Sequence, residues 1–204
     1  MRLILASASP RRADLLAAAG FTFDVHAVDV DERQRGGELP REYVVRLASA
    51  KSARAMDEVM SAAPPLRGED MLVVAADTAV VIGGEILGKP RDVQDGERML
   101  RRLSGCTHEV MTGISVRSVR AAAAGVETTT VTFAPLTEDE VGWYRESGEG
   151  LDKAGGYAIQ GRASRFIPRI DGSYSNVVGL PIAALHRLIH QLEGQSGVLA
   201  SRGH

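Results

Sequence analysis

Apolar and polar residues follow two different periods along this chain. Mostly apolar segments over residues 2–6 and 72–82 are typical of buried strands. The segments that begin at Pro10 and Pro40 instead repeat their apolar positions every three or four residues, and proline is favoured at the first position of a helix. Because strands and helices interleave in this way, the pattern predicts an α/β fold.

Glycine turns in the middle of the chain predict hairpins. Gly83 and Gly84 separate the second apolar run from the short segment EILG, as in a two-residue β-hairpin. Residues 107–119 and 126–136 alternate between apolar and polar positions, which predicts two long strands joined by a linker over residues 120–125. Strands joined in this way are antiparallel, so we expect a mixed sheet.

Capping residues place the remaining helices. Asp92 and Thr137 are expected to start two helices, the second through a capping box with Glu140, and Gly105 is expected to end the first. The other predicted segments are a strand over 21–32 that ends in an acidic loop, a loop over 61–70, strand and loop over 165–180, and a last helix over 181–194.

Composition narrows the class of protein. The 204 residues carry a net charge of −2, which gives no basic field for nucleic acid or an anionic membrane. No run approaches the roughly 18 apolar residues of a membrane span, and the start of the chain does not fit a signal peptide. Cys106 is the only cysteine, which excludes an internal disulfide and fits a cytoplasmic protein. We expect one domain over residues 1–194 and a flexible tail over 195–204.

The Gly-Lys pair after the hairpin has the spacing of a phosphate-binding P-loop with Gly83. A P-loop needs a hydroxyl residue after the lysine to bind magnesium, and Pro90 supplies neither a hydroxyl nor a backbone N–H. The P-loop interpretation therefore fails, and Lys89 is left as a point charge that can contact a phosphate.

Two arginines stand where a helix disfavours cations. Arg11 and Arg12 fall in the first turn of the helix that Pro10 begins, beside the positive end of the helix dipole. Ser7 and Ser9 precede them, and the free backbone N–H groups of a helix N-terminus point the same way. Together these groups predict an anion site, most naturally for phosphate; two solvated surface arginines are the alternative.

Three more charged residues have unusual surroundings. Lys51 falls in the middle of the apolar stripe of the helix that begins at Pro40, where it either snorkels to solvent or has an anionic partner. Asp77 interrupts the apolar run over 72–82, so it lies at a strand end, is paired or binds a metal, or else it caps a turn. Glu32 belongs to an acidic loop that is usually solvated and matters only if it faces Asp77.

These residues suit one kind of chemistry if the fold brings them together. Cations grip phosphates, while carboxylates hold a divalent metal and polarise a water molecule. The combination indicates phosphoryl transfer or hydrolysis.

Five segments resemble one known family. In chain order they are LASASPRRADLL, YVVRLASAKSARA, AADTAVVIGGEILGKPRD, LSGCTHEVMTGISV and LDKAGGYAIQG. They are similar to motifs of the Maf family of nucleoside triphosphate pyrophosphatases, over about residues 3–193. The resemblance implies an architecture shared with inosine triphosphate pyrophosphatases, in which a curved, mixed α/β sheet with helices forms two lobes that flank a cleft. It also implies hydrolysis of a nucleoside triphosphate to the monophosphate and pyrophosphate, a divalent cation (Mg²⁺ or Mn²⁺), a cytoplasmic location and a homodimer.

The same resemblance implies roles for single residues. Asp77 matches the catalytic proton acceptor, and we expect it to bind the metal together with Glu32. Positions linked to substrate choice are matched by Arg12, Thr78 and Gln160, and further polar positions that contact substrate in the cleft are matched by Ser7, Arg11, Lys51 and Lys89. The segment AGGYAIQG resembles the branch that acts on dTTP and UTP.

A second hypothesis is a non-catalytic regulator of cell division that binds a nucleotide or nucleic acid. The net charge of −2 argues against nucleic acid. Asp77 and Glu32 together favour turnover, because binding a triphosphate needs no acid that activates water. We therefore expect a nucleoside triphosphate as partner, and neither nucleic acid nor a membrane.

Overall fold

The computed structural model describes residues 2–62 and 71–200, and within them it forms one mixed β-sheet of seven strands. The strands are β1 (Arg2–Leu5), β2 (Phe23–Val25), β3 (Met71–Ile82), β4 (Glu85–Leu87), β5 (Thr107–Arg117), β6 (Ala122–Thr132) and β7 (Arg169–Asp171). They lie in the order β2-β1-β3-β5-β6-β7, with β4 paired to the far end of β3. β1 is parallel to β2 and β3, and the other pairs are antiparallel, so the predicted mixed α/β fold is confirmed.

Six α-helices cover this sheet in the described part of the chain. They are α1 (Pro10–Ala18), α2 (Pro40–Ser61), α3 (Val93–Leu103), α4 (Glu138–Glu146), α5 (Tyr174–Val178) and α6 (Ile182–Ala200). None of the described helices combines the length and the hydrophobicity needed to cross a membrane.

The two faces of β3 pack against different helices, because successive side chains of a strand point to opposite sides. Leu72, Val74 and Ala76 pack in the cluster that α1 and α6 supply. Val73 and Ala75 pack on the other face, in the cluster that α2 supplies. This alternation continues into the polar residues that follow, so Asp77 is directed to α2 and Thr78 to α1.

The pairing of β3 changes partner near its middle. β1 pairs with β3 up to Val74, and β4 begins to pair with it at Val80. On the other edge, β5 pairs with β3 without interruption from Val73 to Val81. Asp77 therefore lies inside β3 and not at a strand end as predicted, because β5 continues the strand past the point where the other edge passes from one partner to the next.

The turn between β3 and β4 confirms the predicted hairpin. Gly83 and Gly84 form it with positive φ angles of 59° and 81°, which suit a two-residue turn. The use of these glycines in the hairpin agrees with the failure of the P-loop interpretation.

Three predicted boundaries were wrong. Residues 122–125 were expected in a linker but belong to β6, because pairing with β5 overrides the weak strand propensity of alanine and glycine. Tyr174–Val178 was expected as loop and forms α5. The last helix continues beyond Gly194 to Ala200. Most of the loop predicted over 61–70, and residues 201–204 of the predicted tail, lie outside the described residues.

Candidate active site

A cleft of about 900 Å³ opens where β3 changes partners. Its walls come from the turn after β1, the loop after β2, α2, β3, the segment after β4, the loop that follows α4 and the end of α5. The fold brings every residue that the sequence predicted for the site into this one cleft: Ser7, Arg11, Arg12, Glu32, Lys51, Asp77, Thr78, Lys89 and Gln160. These residues are far apart in sequence, so their convergence follows from the fold.

Lys51 joins the two carboxylates of the cleft. Its Nζ lies 2.7 Å from Oδ1 of Asp77 and 2.6 Å from Oε1 of Glu32. The side chain of Lys51 is 11% exposed, so it does not snorkel to solvent. Of the two predicted alternatives the structure has the anionic partner, which offsets the cost of placing an ammonium group on an apolar helix face.

Asp77 is buried at the base of the cleft, with 8% of its surface exposed. Burial raises the pKa of Asp77 above its ordinary value, although the charges of Lys51 and Arg12 act in the opposite direction. A carboxylate with a raised pKa is a stronger base than a solvated one, and proton acceptors of enzymes need this property. The geometry therefore gives Asp77 the chemical character of a general base.

The pKa of Glu32 shifts in the opposite direction, below its ordinary value. Burial alone would raise the pKa of Glu32, but its hydrogen bond and charge interaction with Lys51, together with the charges of Lys89 and Arg12, hold it below the ordinary value. The pKa values of Glu32 and Asp77 therefore shift in opposite directions, because the hydrogen bond and charges around Glu32 together outweigh its burial, whereas burial dominates at Asp77.

Arg12 is held from three sides. Its Nε donates to the backbone oxygen of Gly179 at 2.8 Å, Nη1 donates to Oγ of Ser7 at 3.1 Å, and Nη2 donates to Oγ1 of Thr78 at 3.1 Å. Burial lowers the pKa of Arg12, an effect that the charge of Asp77 partly offsets. A guanidinium remains charged even so, and the three bonds leave two of its five N–H groups for a ligand.

The start of α1 faces the same cleft. Ser9 occupies the predicted N-cap position and Pro10 begins the helix, but within the described structure the Ser9 side chain makes no capping hydrogen bond. The backbone N–H of Ser9 instead donates to Oγ of Ser7 at 3.2 Å. Arg11 follows in the cleft wall, so a helix N-terminus and two guanidinium groups surround one space.

Lys89 and Gln160 are exposed at the rim of the cleft, on two segments that contact each other. The N–H of Gly155 donates to the backbone oxygen of Gly88 at 3.0 Å. Gly155 has a φ of 71°, and a Cβ there would lie 2.9 Å from the side chain of Val80. Only glycine allows this approach, and it fixes the segment that carries Gln160 against β3.

Several cleft residues were not identified from the sequence. Tyr43 lines the cleft and its hydroxyl donates to the backbone oxygen of Glu32 at 3.0 Å, which ties the acidic loop to α2. Asp152 and Lys153 also line it, and their place inside the quoted LDKAGGYAIQG segment was the available signal. The carbonyl of Gly179 contributes through its backbone, which no side-chain pattern reveals.

The donor set of the cleft fits a hard divalent cation in part. Among the described residues there is no group of three or more His, Cys, Asp or Glu side chains that could hold a metal. Asp77 and Glu32 nevertheless both contact Lys51, so their oxygens lie close together. Mg²⁺ is commonly bound by one or two carboxylates together with substrate phosphates and water, and this pair meets that requirement.

Comparison with known proteins places these features in context. A family described as Maf-like protein matches residues 2–192. The chain is 50% identical over 195 residues to a dTTP/UTP pyrophosphatase of Anaeromyxobacter dehalogenans (strain 2CP-C), with 93% of each chain covered. It is 45% identical over 190 residues to a dTTP/UTP pyrophosphatase of Vibrio vulnificus (strain YJ016), with 93% of this chain and 98% of the relative covered.

Among solved structures, the fold is similar to the structure of the Staphylococcus aureus Ham1 protein. The TM-score is 0.43 at 16% sequence identity, and the match covers 66% of this chain and 72% of that chain. The family match extends over almost the whole chain, and the chain therefore belongs to the Maf-like protein family.

Proposed function

We propose that this protein hydrolyses nucleoside triphosphates, with dTTP and UTP as preferred substrates, to the monophosphate and pyrophosphate. The observation that carries the proposal is that a buried acid, Asp77, and several basic side chains line the same cleft. The printed names of relatives at 45% and 50% identity, dTTP/UTP pyrophosphatases, support the substrate class.

The proposed reaction assigns distinct work to the two sides of the cleft. Arg11, Arg12, Lys89 and the N-terminus of α1 bind the triphosphate, whose negative charge they match. Asp77 takes a proton from a water molecule whose oxygen forms a bond to the α-phosphorus. The bond from that phosphorus to the bridging oxygen breaks, and pyrophosphate leaves with the electron pair.

A divalent cation is part of the proposal. Asp77 and Glu32 would hold it, and when bound it would neutralise phosphate charge. When no cation is bound, the positive charge of Lys51 keeps the two carboxylates together. A cytoplasmic location and a homodimer belong to the same proposal, as does the absence of nucleic acid and membrane partners.

Release of pyrophosphate from dTTP, UTP, CTP and GTP with Mg²⁺ or Mn²⁺ tests this function directly. Asp77→Asn keeps the shape and removes the base, so we expect a loss in kcat of at least about 10²-fold. Asp31→Asn is the matched control, since it removes a carboxylate of the same loop as Glu32 that pairs with Arg33 at the surface. A rate within a few-fold of wild type for Asp77→Asn would refute the role of the acid. Tight binding of nucleotide without turnover by wild type would favour a regulator instead.

Gln160 carries the proposed choice of base. Its amide can donate and accept, which suits the N3–H and carbonyl groups of uracil and thymine. We expect Gln160→Ala to reduce the preference for dTTP and UTP over GTP and ATP more than it reduces the best kcat. Specificity constants for the four nucleotides decide this, because an equal drop for all four would mean that Gln160 only supports its segment.

A further inference from the structure

A buried polar network lies behind the cleft wall that carries Arg12 and Thr78. Its central member is Thr112, which pairs with Thr78 across β5 and β3 and is 0% exposed. Thr112 itself is not among the residues that line the cleft. The network lies between the hydrophobic cluster of α1 and α6 and the cluster of α3 and α4, where a polar group needs a partner for every donor.

The positions of donors and acceptors give these hydrogen bonds a direction. Oγ1 of Thr112 lies 3.2 Å from the backbone oxygen of Asn176, which can only accept, so Thr112 donates there. Oγ1 of Thr112 also lies 3.0 Å from Oγ1 of Thr78, and in that bond Thr112 is left to accept. Thr78 therefore donates to Thr112 and accepts from Nη2 of Arg12, at 3.1 Å.

Asn176 extends the network to the second support of Arg12. Its side-chain Nδ2 donates to the backbone oxygen of Val110 and to Oγ1 of Thr129, both at 2.9 Å, which anchors α5 on β5 and β6. Gly179 directly follows α5 as its C-cap, and the carbonyl of Gly179 accepts from Nε of Arg12. Thr112 thus contacts Thr78, which bonds Arg12 directly, and Asn176, whose helix leads to the carbonyl of Gly179 that also bonds Arg12.

We propose that Thr112 is a positioning residue for the binding of the triphosphate, an inference that rests on the proposed function. Oγ1 of Thr78 lies 3.0 Å from Oγ1 of Thr112 and 3.5 Å from the carbonyl oxygen of Gly179, so the Thr112 hydroxyl draws the Thr78 proton away from a longer hydrogen bond to Gly179. Without that acceptor, Thr78 donates to Gly179 and competes with Nε of Arg12 for the same oxygen. The guanidinium then loses its fixed orientation toward the anion.

Thr112→Val tests the inference, because valine keeps the shape and removes the hydroxyl. We expect the KM for dTTP to rise about tenfold, the size of one lost hydrogen bond to a charged group, while kcat changes by less than about threefold. Ser115→Ala is the matched control: it removes a buried hydroxyl of the same strand, which bonds Ser52 of α2 and does not line the cleft. A purely structural role predicts the same KM for both variants.

A second pair of variants covers the case in which valine disturbs folding. Thr112→Ser and Thr112→Ala both lack the methyl group and differ only in the hydroxyl, so the serine variant should have a KM within about twofold of wild type and the alanine variant should not. A melting temperature for each variant shows that it is folded. Equal KM values for the serine and alanine variants would overturn the inference.

A double-mutant cycle with Thr78→Val tests the route. If Thr112 acts through Thr78, adding Thr112→Val to Thr78→Val raises KM by less than in the wild-type background. Additive effects would overturn that route. Wild-type pyrophosphate release is measured first. If the wild type releases no pyrophosphate, the proposed function is refuted. The role of Thr112 is then tested by equilibrium binding of dTTP to the same variants. Unchanged dTTP binding in Thr112→Val would then overturn the inference by itself.

Discussion

Among the single residues of the cleft, Lys51 is the one that bridges two carboxylates. Its ammonium group contacts a buried carboxylate, Asp77, and a half-exposed one, Glu32. Removing the ammonium group leaves the two carboxylates without a counter-charge. In a partly buried cluster, the resulting loss of folding free energy is larger than the net stabilisation that the ion pairs provide.

Lys51→Met should therefore make stability depend on pH. Without the ammonium, the pKa of Asp77 rises further above its unfolded value, so the variant is destabilised most at high pH, by about 2 kcal/mol at pH 8. The deficit should shrink as pH falls, because Asp77, whose pKa is raised, becomes protonated in the folded state. Urea unfolding of both proteins at several pH values measures this. Lys153→Met, which removes a pair with exposed Asp152, is the control and should show no such trend.

His108 is a second residue with a pH-dependent effect. It is buried between the rings of Phe133 and Tyr157, and its Nε2 lies 2.8 Å from the Tyr157 hydroxyl. Nδ1 has no partner within the described structure. Burial lowers the pKa of His108 to about 4, so the folded protein holds a neutral imidazole.

Stability should fall as pH drops from about 6.5 toward 4, because the unfolded chain gains a proton on His108 that the folded chain does not bind. By linkage this amounts to at most about 3 kcal/mol. His108→Gln should lose that part of the pH dependence in urea titrations, whereas His186→Gln, at an exposed position, should retain it. Identical pH profiles for wild type and His108→Gln would contradict the assignment.

At the scale of elements, the contact between α2 and β5 positions Lys51 over Asp77. A Cβ on Gly113 of β5 would lie 2.2 Å from the backbone oxygen of Val44 in α2, so only glycine permits this approach. Gly125 of β6 is a strand glycine with space around it, since its nearest neighbour is a Leu188 side-chain atom at 3.9 Å.

Gly113→Ala should consequently move α2 and cost about 3 kcal/mol, because the obstacle is backbone and cannot turn aside. Gly125→Ala should change stability by less than about 0.5 kcal/mol. Chemical denaturation compares the two. Activity of Gly113→Ala should also fall, since Lys51 moves with its helix; a fully active variant would show that the helix position is not critical.

Sequence patterns were informative for elements whose own residues carry the signal. The hairpin at Gly83, the capping box at Thr137 and the misplaced charge at Lys51 all identify themselves locally. The strand formed by residues 122–125 did not, because its stability comes from the partner strand β5. Thr112 and Asn176 gave no signal either, since a buried threonine in a strand looks the same whether or not its hydroxyl has a partner.

At the scale of the whole molecule, the cleft is lined by segments that are distant in sequence. Its lining residues come from the beginning, the middle and the later part of the chain: Ser7, Glu32, Lys51, Lys89 and Gln160. A ligand that contacts all of them holds these segments together, and it stabilises the fold by mass action because the unfolded chain has no such site.

Asp77→Asn protein should therefore be stabilised by dTTP with Mg²⁺ even though it turns over slowly. Unfolding free energy should rise by about 2.7 kcal/mol at a hundred times the dissociation constant, and the melting temperature should increase with the logarithm of nucleotide concentration. Arg12→Met in the same background should reduce the shift at equal concentration. An unchanged melting temperature at millimolar dTTP would mean that the cleft does not bind the nucleotide.

The change of partner along β3 has a consequence for folding kinetics. The hairpin of β5 and β6 closes over a short turn, whereas the pairing of β1 with β3 closes a much longer stretch of chain, from Leu5 to Met71. Contacts that close long loops form slowly, so β1 is expected to dock after the antiparallel strands have assembled. Because the turn after β1 carries Ser7 and leads into α1, nucleotide binding should return only in the last phase of refolding. A chain stalled before that step would have most of its sheet and no functional cleft.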